Sequence, residues 1–289
     1  MVNNITVIGA GIMGRGIAYT AAINGYNVTL QDISTNSLQN ANQELQSTAH
    51  KSVERNFITE EQKQLVHKIF YTDSLEQAVI DCDLVIEAVI ERMDVKSQIF
   101  KQLDELCATH TILATNTSAL SPTEIAAQTN RPDRVIAMHF FNPVHKMKLI
   151  EIIRGLDTSD ETVRTIQDVA KQMGKESVEV NEFPGFVTSR MNVLIGNEAM
   201  NMLMEGVASA EDIDRALKLG LNHPMGPFEM GDLVGLDTRL RTLEYLHKTL
   251  GEKYRPSPLL VKYVKAGRLG KKTGKGVYTY EESEQHANS

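Results

Sequence analysis

Three glycines near the start of the chain have a spacing that is typical of a ligand-binding turn. They lie in the segment Gly9-Ala10-Gly11-Ile12-Met13-Gly14. A β-branched run at 5–8 predicts a strand before them, and the apolar spacing of 12–23 predicts a helix after them. In this context Gly9 permits a tight turn, Gly11 lets the backbone approach a pyrophosphate at the helix N-terminus, and Gly14 lets helix and strand pack closely. We therefore assign all six residues to a dinucleotide site.

The second predicted strand ends at a carboxylate. Residues 26–31 form a β-rich run, and Asp32 follows it, eighteen residues after Gly14. At this place in a βαβ unit an acidic residue accepts a hydrogen bond from the adenosine ribose 2′-hydroxyl. A carboxylate there repels a 2′-phosphate, so Asp32 favours NAD over NADP as the cofactor. Arg15 is the one residue that favours NADP, and we interpret it as a solvated helix charge.

Polar residues follow three later apolar runs, where an open α/β sheet binds its ligands. These residues are Glu91 with Lys96, the segment Thr115-Asn116-Thr117-Ser118, and His139. Of the eight histidines only His139 has such a place, where a histidine can be structural or catalytic. Glu151 lies in the apolar run Leu149-Ile150-Glu151-Ile152-Ile153, so its carboxylate needs a partner. A pair of His139 with Glu151 would fix the imidazole tautomer and support it as a general base.

A general base beside a bound nicotinamide indicates one class of reaction. The base takes a hydroxyl proton while hydride leaves the same carbon, which is the oxidation of an alcohol. The sequence shows no metal-binding pattern, since Cys82 and Cys107 are its only cysteines and form no CxxC pair. The residue pattern alone does not identify the alcohol.

The composition is that of an ordinary globular protein with two domains or one large one. The chain has 289 residues, of which 42% are apolar and 23% charged, and a net charge of −7. An acidic chain is a poor partner for nucleic acid or an anionic membrane, so we expect neither. The sequence has no spanning apolar run and no signal-peptide pattern, and its few cysteines fit a reducing compartment. We therefore expect a cytoplasmic protein.

Strand and helix patterns alternate as far as residue 182. Two helices are predicted within 34–68, and strands at 84–86, 111–114 and 135–138 are separated by helices at 94–107 and 122–129. Two more strands, 147–153 and 177–180, flank a helix at 159–173. This alternation predicts an α/β fold, a Rossmann-type mostly parallel sheet with helices on both faces.

After residue 183 the pattern becomes almost entirely helical. Helices are predicted at 186–205, 209–220, 233–250 and 258–266, and the tail at 281–289 has little structure-forming content. We therefore divide the chain into an NAD-binding domain at 1–182 and a smaller helical domain for dimerisation and substrate binding at 183–289.

Four segments at specific spacings carry a further signal. They are Asn116-Thr117-Ser118, the run from His139 to Val144, the run from Asn222 to Glu229, and the run from Gly270 to Gly276 with Tyr278. Over essentially its whole length the chain resembles the L-3-hydroxyacyl-CoA dehydrogenases, above all their short bacterial members. The resemblance implies NAD, a homodimer and an acyl-CoA substrate. It implies that (S)-3-hydroxybutyryl-CoA, or another short-chain substrate, is oxidised reversibly to acetoacetyl-CoA or its homologue.

The resemblance also assigns roles to single residues. It implies that His139 is the general base, that Glu151 orients it, and that Ser118 bonds the reacting oxygen near the nicotinamide. Four positions match cofactor contacts of the family: Glu91, Lys96, Asn142 and Lys272. Lys51 and Arg55 are candidates for holding coenzyme A phosphates, with a solvated charged face as the alternative.

One segment departs from the family pattern. Where the family has Phe-Val-x-Asn-Arg, with the amide contributing to substrate binding, this chain has Phe186-Val187-Thr188-Ser189-Arg190. Ser189 can still donate and accept a hydrogen bond, but its side chain is shorter. Asn192 shares its helix face three residues later and is a candidate substitute.

Other functions stay open at this point. A dehydrogenase of a free hydroxy acid would keep the glycines and the His–Glu pair without a coenzyme A clamp. A non-catalytic NAD-binding protein, like the lens crystallins related to this family, would keep the architecture, but the intact Ser118, His139 and Glu151 argue against it. A lysine-based two-domain reductase is disfavoured because the strand-end residue is a histidine.

Overall fold

The structure, a computed structural model, describes residues 2–281 and divides into two compact units. The first unit ends at Phe183 and the second begins at Pro184. The sequence predicts little regular structure for the tail at 281–289. After Glu281 the residues of this tail lie outside the described part of the chain.

The first unit is built on one twisted sheet with helices on both faces. Its strands are β1 (Asn4–Ile8), β2 (Asn27–Gln31), β3 (Phe70–Thr72), β4 (Leu84–Glu87), β5 (Ile112–Thr115), β6 (Val135–Phe140), β7 (Leu149–Arg154) and β8 (Glu176–Asn181). They lie in the order β3-β2-β1-β4-β5-β6-β7-β8, and only the β6–β7 pairing is antiparallel. The prediction of a Rossmann-type, mostly parallel sheet is confirmed.

The helices of this unit follow the strands as crossovers. They are α1 (Ile12–Ile23), α2 (Thr35–Glu54), α3 (Glu60–His67), α4 (Leu75–Ala78), α5 (Met93–Leu106), α6 (Pro122–Ala126) and α7 (Asp160–Gln172). Five of them begin at a side chain that accepts a backbone hydrogen bond from the first turn, namely Ser34, Thr59, Ser74, Ser121 and Ser159. These caps fix where the five helices begin, and two of those starts, near 122 and near 159, are the ones predicted from the sequence.

Alternate strand residues pack on opposite faces of the sheet. In β4, Leu84 and Ile86 join the core under α1, α2 and α7, while Val85 packs with Phe100 and Leu103 of α5. Because both faces are covered, the central strands β1, β4, β5 and β6 are buried along almost their whole length, whereas the edge strand β8 is largely exposed. Ligands therefore reach the centre of the sheet beyond its strand ends.

The second unit is helical. Its helices are α8 (Thr188–Met204), α9 (Ala210–Gly220), α10 (Pro227–Val234), α11 (Leu236–Leu250) and α12 (Pro258–Lys265). Their core includes Val193, Ile213, Phe228, Leu243 and Leu246. No helix within residues 2–281 is both long and apolar enough to cross a membrane.

Buried aspartates hold the last turns of the second unit. Asp232 accepts hydrogen bonds from the backbone of Val277 and Tyr278, both at 2.9 Å. A Cβ atom on Gly270 or Gly276 would lie 2.2 Å or 2.0 Å from atoms of Asp232. The glycines of this segment are therefore needed for close packing of the chain on α10.

Several sequence predictions differ from the observed elements, and the four-residue helix α4 was not predicted. Strand β3 was missed because it has three residues with one buried, too few for a period to show. The helix predicted at 233–250 begins only at Leu236, since Gly235 with φ 104° separates α11 from α10. Helix α10, Pro227–Val234, was not predicted. Helix α6 ends at Ala126, three residues before the predicted end.

Candidate active site

The glycine turn joins β1 to α1 and leaves space above the helix N-terminus. Gly9 has φ 101°, and a Cβ atom there would lie 2.8 Å from the carbonyl oxygen of Ala88. A Cβ atom on Gly14 would lie 1.8 Å from the carbonyl oxygen of Gly9, so helix and strand pack closely there. Beyond its own chain neighbours, a Cβ atom on Gly11 would have no described atom within 4 Å, and no side chain caps the helix. An uncapped, open helix N-terminus suits a pyrophosphate. Of the remaining turn residues Ala10 is buried, Met13 half-buried and Ile12 exposed.

We expect two alanine substitutions in this turn to have different effects. Gly14→Ala should lower the stability of the ligand-free protein by about 2 kcal/mol, because its methyl group meets backbone. Gly11→Ala should leave the ligand-free melting temperature nearly unchanged but weaken NADH binding about tenfold or more, because the methyl group occupies the phosphate space. Thermal unfolding and NADH fluorescence titration measure the two effects. Wild-type NADH affinity in Gly11→Ala would contradict a pyrophosphate at this turn.

Asp32 connects the end of β2 to the glycine turn. Its Oδ2 accepts a hydrogen bond from the backbone N–H of Ala10 at 2.8 Å, and its Oδ1 accepts one from Ser34 at 2.9 Å. Each oxygen has a further lone pair for a ribose hydroxyl. Arg15, predicted to be a solvated charge, is instead only 19% exposed and pairs with Glu44 at 3.0 Å. Sequence reasoning missed this pair because Glu44 lies on α2, which packs beside α1 only in the fold.

A histidine and a carboxylate face each other across the only antiparallel strand pair of the described sheet. His139 on β6 is in register with Glu151 on β7, and Nδ1 of the ring lies 2.7 Å from Oε2 of the carboxylate. Residues directly opposite on antiparallel strands have adjacent side chains, so strand register sets this pair. Glu151 is fully buried, and His139 is 7% exposed. A proton on Nδ1 that is donated to Glu151 makes Nε2 the basic nitrogen of the imidazole.

Glu91 organises the loop that follows β5. Its Oε1 accepts hydrogen bonds from the Thr117 hydroxyl at 2.6 Å, from the Ser118 backbone at 2.8 Å and from the Ser118 hydroxyl at 3.2 Å. Burial alone would raise the pKa of Glu91, but the charge of Lys96 and these hydrogen bonds lower it below its usual value. Glu91 is thus an anion at neutral pH that holds Ser118 in place.

The same part of the chain links Ser118 to the strand of His139. Asn116, two residues before Ser118, accepts a hydrogen bond through Oδ1 from the backbone N–H of Phe140 at 3.0 Å. This bond joins the end of β5 to the end of β6. The sequence segment Asn116-Thr117-Ser118 therefore contributes both a bridge between strands and a hydroxyl near the histidine strand.

Lys96 lies beneath this loop in a fully buried ion pair. Its ammonium group donates to Glu87 Oε1 at 2.7 Å and Oε2 at 2.9 Å, and lies 3.4 Å from Glu91 Oε2. Sequence reasoning missed Glu87. The signal was present, since Glu87 is a carboxylate that ends an otherwise apolar strand, which is expensive unless a cation pairs with it.

The remaining predicted residues of the first unit are exposed. Asn142 lies in the loop after β6, and Lys51 and Arg55 lie at the C-terminal end of α2. Within residues 2–281 neither Lys51 nor Arg55 has a carboxylate at salt-bridge distance. Both cations are available to a polyanionic ligand.

Three predicted residues belong to the second unit. Ser189 is half-buried in the first turn of α8. The side-chain oxygen of Asn192 accepts a hydrogen bond from Arg239 Nη2 at 3.2 Å, and Lys272 donates to Asp237 Oδ1 at 2.6 Å. Their assigned roles stay predictions.

The carboxyl ends of neighbouring strands bring the other candidates to one edge of the sheet. In the order β2-β1-β4-β5-β6 these ends carry Asp32, the glycine turn, Glu91, Ser118 and His139. No group of three or more His, Cys, Asp or Glu side chains within the described residues could hold a metal ion. The edge therefore combines a dinucleotide turn with an oriented histidine.

Comparison with known proteins gives consistent matches along the chain. Residues 4–183 match the family model described as "3-hydroxyacyl-CoA dehydrogenase, NAD binding domain", and residues 185–280 match "3-hydroxyacyl-CoA dehydrogenase, C-terminal domain". A Bacillus subtilis protein named "Probable 3-hydroxybutyryl-CoA dehydrogenase" is 51% identical, covering 97% of this chain and 98% of that protein.

Two further relatives are similar over comparable lengths. The 3-hydroxybutyryl-CoA dehydrogenase of Bradyrhizobium diazoefficiens is 43% identical, covering 97% of this chain and 96% of that protein. The crystal structure of (S)-3-hydroxybutyryl-CoA dehydrogenase from Ralstonia eutropha superposes with a TM-score of 0.94 at 42% identity, covering 98% of this chain and all of that one.

Proposed function

The chain belongs to the 3-hydroxyacyl-CoA dehydrogenase family, and on that premise we propose that it oxidises (S)-3-hydroxybutyryl-CoA reversibly to acetoacetyl-CoA with NAD. The observation that carries the chemistry is the His139–Glu151 pair, 2.7 Å apart at the sheet edge that also bears the glycine turn. That edge supplies a base and a dinucleotide turn, which are the parts an alcohol oxidation needs.

The residues present fit NAD. The space at Gly11, the uncapped start of α1 and the carboxylate of Asp32 suit a pyrophosphate and a ribose without a 2′-phosphate. When bound, NAD accepts the hydride that leaves C3 of the substrate, so that carbon is oxidised and the nicotinamide is reduced.

His139 moves the proton that balances this hydride. Its Nε2 takes the proton of the substrate hydroxyl as the carbonyl forms, and the Glu151 carboxylate stabilises the resulting imidazolium through Nδ1. In the reducing direction the protonated His139 returns the proton to the oxygen. Ser118 is held by Glu91 through its backbone N–H, and its hydroxyl, which donates to Glu91 at 3.2 Å, turns to donate its one proton to the same reacting oxygen when substrate binds.

The rest of the predicted site binds and orients the ligands. Asn142 and Lys272 contact the cofactor with Glu91, while Lys51 and Arg55 bind coenzyme A phosphates. Lys96, predicted from the sequence to contact the cofactor, has no exposed side-chain surface, so it acts on the cofactor site through its ion pair with Glu91. Ser189, or Asn192 in its place, contributes to acyl binding where the family has an asparagine. Local cations are needed because the protein has a net charge of −7 and both ligands are polyanions. The protein works as a cytoplasmic homodimer that contacts neither nucleic acid nor membrane.

An NADH-oxidation assay tests this function. We expect acetoacetyl-CoA to be reduced at a kcat/KM at least about 100-fold above that for free acetoacetate, because the coenzyme A contacts add binding energy. NADPH should be a far poorer cofactor than NADH, since its 2′-phosphate meets Asp32. Equal rates with free acetoacetate would identify a dehydrogenase of free hydroxy acids, and no NADH oxidation with any 3-ketoacyl-CoA would identify a non-catalytic NAD-binding protein.

A further inference from the structure

A fully buried carboxylate, Glu87, lies beneath the proposed cofactor site and has no role in the mechanism above. All of its partners are hydrogen-bond donors. Oε1 accepts from Lys96 Nζ and from the backbone of Val89, both at 2.7 Å, and Oε2 accepts from Lys96 Nζ at 2.9 Å and from the Thr115 hydroxyl at 2.7 Å. The Thr115 hydroxyl can donate or accept, but the Lys96 ammonium group and the Val89 N–H can only donate. An ammonium group bonded to both carboxyl oxygens matches an ionised Glu87.

The three charges of this cluster leave one net negative charge. Glu87 and Glu91 are carboxylates and Lys96 is an ammonium group with no exposed side-chain surface. The Lys96 ammonium group donates hydrogen bonds to both carboxylate oxygens of Glu87, and its nitrogen lies 3.4 Å from Glu91 Oε2. A buried ion pair is weakly favourable for stability, because desolvation offsets the attraction, so stability alone does not explain Glu87.

Strand order places this cluster under the nicotinamide end of the cofactor. The glycine turn follows β1, His139 ends β6, and β4 and β5 lie between them. A dinucleotide with its pyrophosphate at Gly11 and its reacting ring at His139 therefore passes over the ends of β4 and β5, which carry Glu87, Glu91 and Ser118. This placement rests on the proposed function.

We propose that Glu87 is a positioning residue that anchors Lys96 beneath Glu91 and so keeps one net negative charge facing the nicotinamide, which favours the cationic ring of NAD⁺ over the neutral ring of NADH. Through Lys96 it also keeps Glu91 oriented toward Ser118. In a partly buried site, the attraction between this negative charge and a cationic nicotinamide several ångströms away is large enough to change the ratio of the NAD⁺ and NADH affinities severalfold.

Calorimetric titration of the full-length protein with NAD⁺ and with NADH tests the proposal. Glu87→Gln removes the net charge, so the ratio of Kd for NAD⁺ to Kd for NADH should rise at least about fivefold over the wild-type ratio. Glu87→Asp keeps the charge and should leave the ratio within about twofold even where both affinities fall. Thr115→Val removes one hydrogen bond to Glu87 without changing any charge, and is expected to leave the ratio unchanged.

A double variant separates charge from folding. The double variant Glu87→Gln with Lys96→Met removes one charge of each sign and leaves Glu91 as the net negative charge. Its ratio of Kd for NAD⁺ to Kd for NADH should therefore equal the wild-type ratio. Because it leaves no buried ammonium group unpaired, this variant can be measured even if Glu87→Gln alone does not fold. An unchanged ratio in Glu87→Gln, or a changed ratio in the double variant, would overturn the proposal. A wild-type protein that binds neither dinucleotide would instead contradict the proposed function.

Discussion

Replacing His139 with Gln lowers kcat for acetoacetyl-CoA reduction by about 1,000-fold or more, while NADH binds with its wild-type affinity. Glutamine fills a similar volume and can still donate a hydrogen bond to Glu151, so the buried carboxylate keeps a partner. It cannot take or return a proton in the pH range of the enzyme. Steady-state kinetics with saturating NADH measures the loss.

A second histidine provides the control for this variant. His67 is exposed at the end of α3, and His67→Gln should keep wild-type kcat. NADH titration and a thermal melt of His139→Gln show whether the cofactor site and the fold persist. A His139→Gln protein that retains more than about a tenth of wild-type kcat would exclude His139 as the proton-transfer group.

Replacing Glu151 with Gln lowers kcat about 100-fold and changes the affinity for NADH little. The amide oxygen can still accept the bond from His139 Nδ1, so the ring orientation persists, but the negative charge that stabilises the imidazolium is lost. Because Glu151 is fully buried, the charge acts on the ring with little screening by solvent. The expected signature is a loss in kcat with KM for NADH nearly unchanged.

A carboxylate on the neighbouring strand serves as the matched control. Glu179 on β8 is exposed and pairs with Arg154 at 3.1 Å, so Glu179→Gln removes a carboxylate without touching the site. Its kcat should equal the wild-type value. If Glu151→Gln stays within about threefold of wild-type kcat at a normal melting temperature, Glu151 has only a structural role.

The cofactor turn is the part of the site that sequence reasoning describes best. Its determinants are local, because the strand, the three glycines, the helix and Asp32 all lie within residues 4–32. Each glycine has a different steric requirement, and these requirements are visible in the structure as a positive φ at Gly9, an open space at Gly11 and a backbone contact at Gly14. Local geometry of this kind is encoded by residue type and spacing alone.

Contacts between distant segments were much harder to predict. The burial of Glu87 with Lys96 depends on the first turn of α5 lying against the end of β4, and the Arg15–Glu44 pair depends on two helices meeting. Hydrophobic periodicity predicts helices and strands, but it does not show which carboxylate a lysine or arginine side chain will pair with in the fold. The turn at Gly235 and the short β3 were missed because each breaks or lacks the period on which such predictions rely.

The sequence by itself determined the family, the sheet with its dinucleotide turn, NAD, and the two residue types of an acid–base pair. It did so because residue spacing encodes local conformation and because a carboxylate inside an apolar run demands a partner. Only the tertiary structure decided that the partner faces it, since the antiparallel register of β6 and β7 sets His139 opposite Glu151. It alone also placed Glu87 under Lys96, because strand order and helix packing bring together residues that the chain separates.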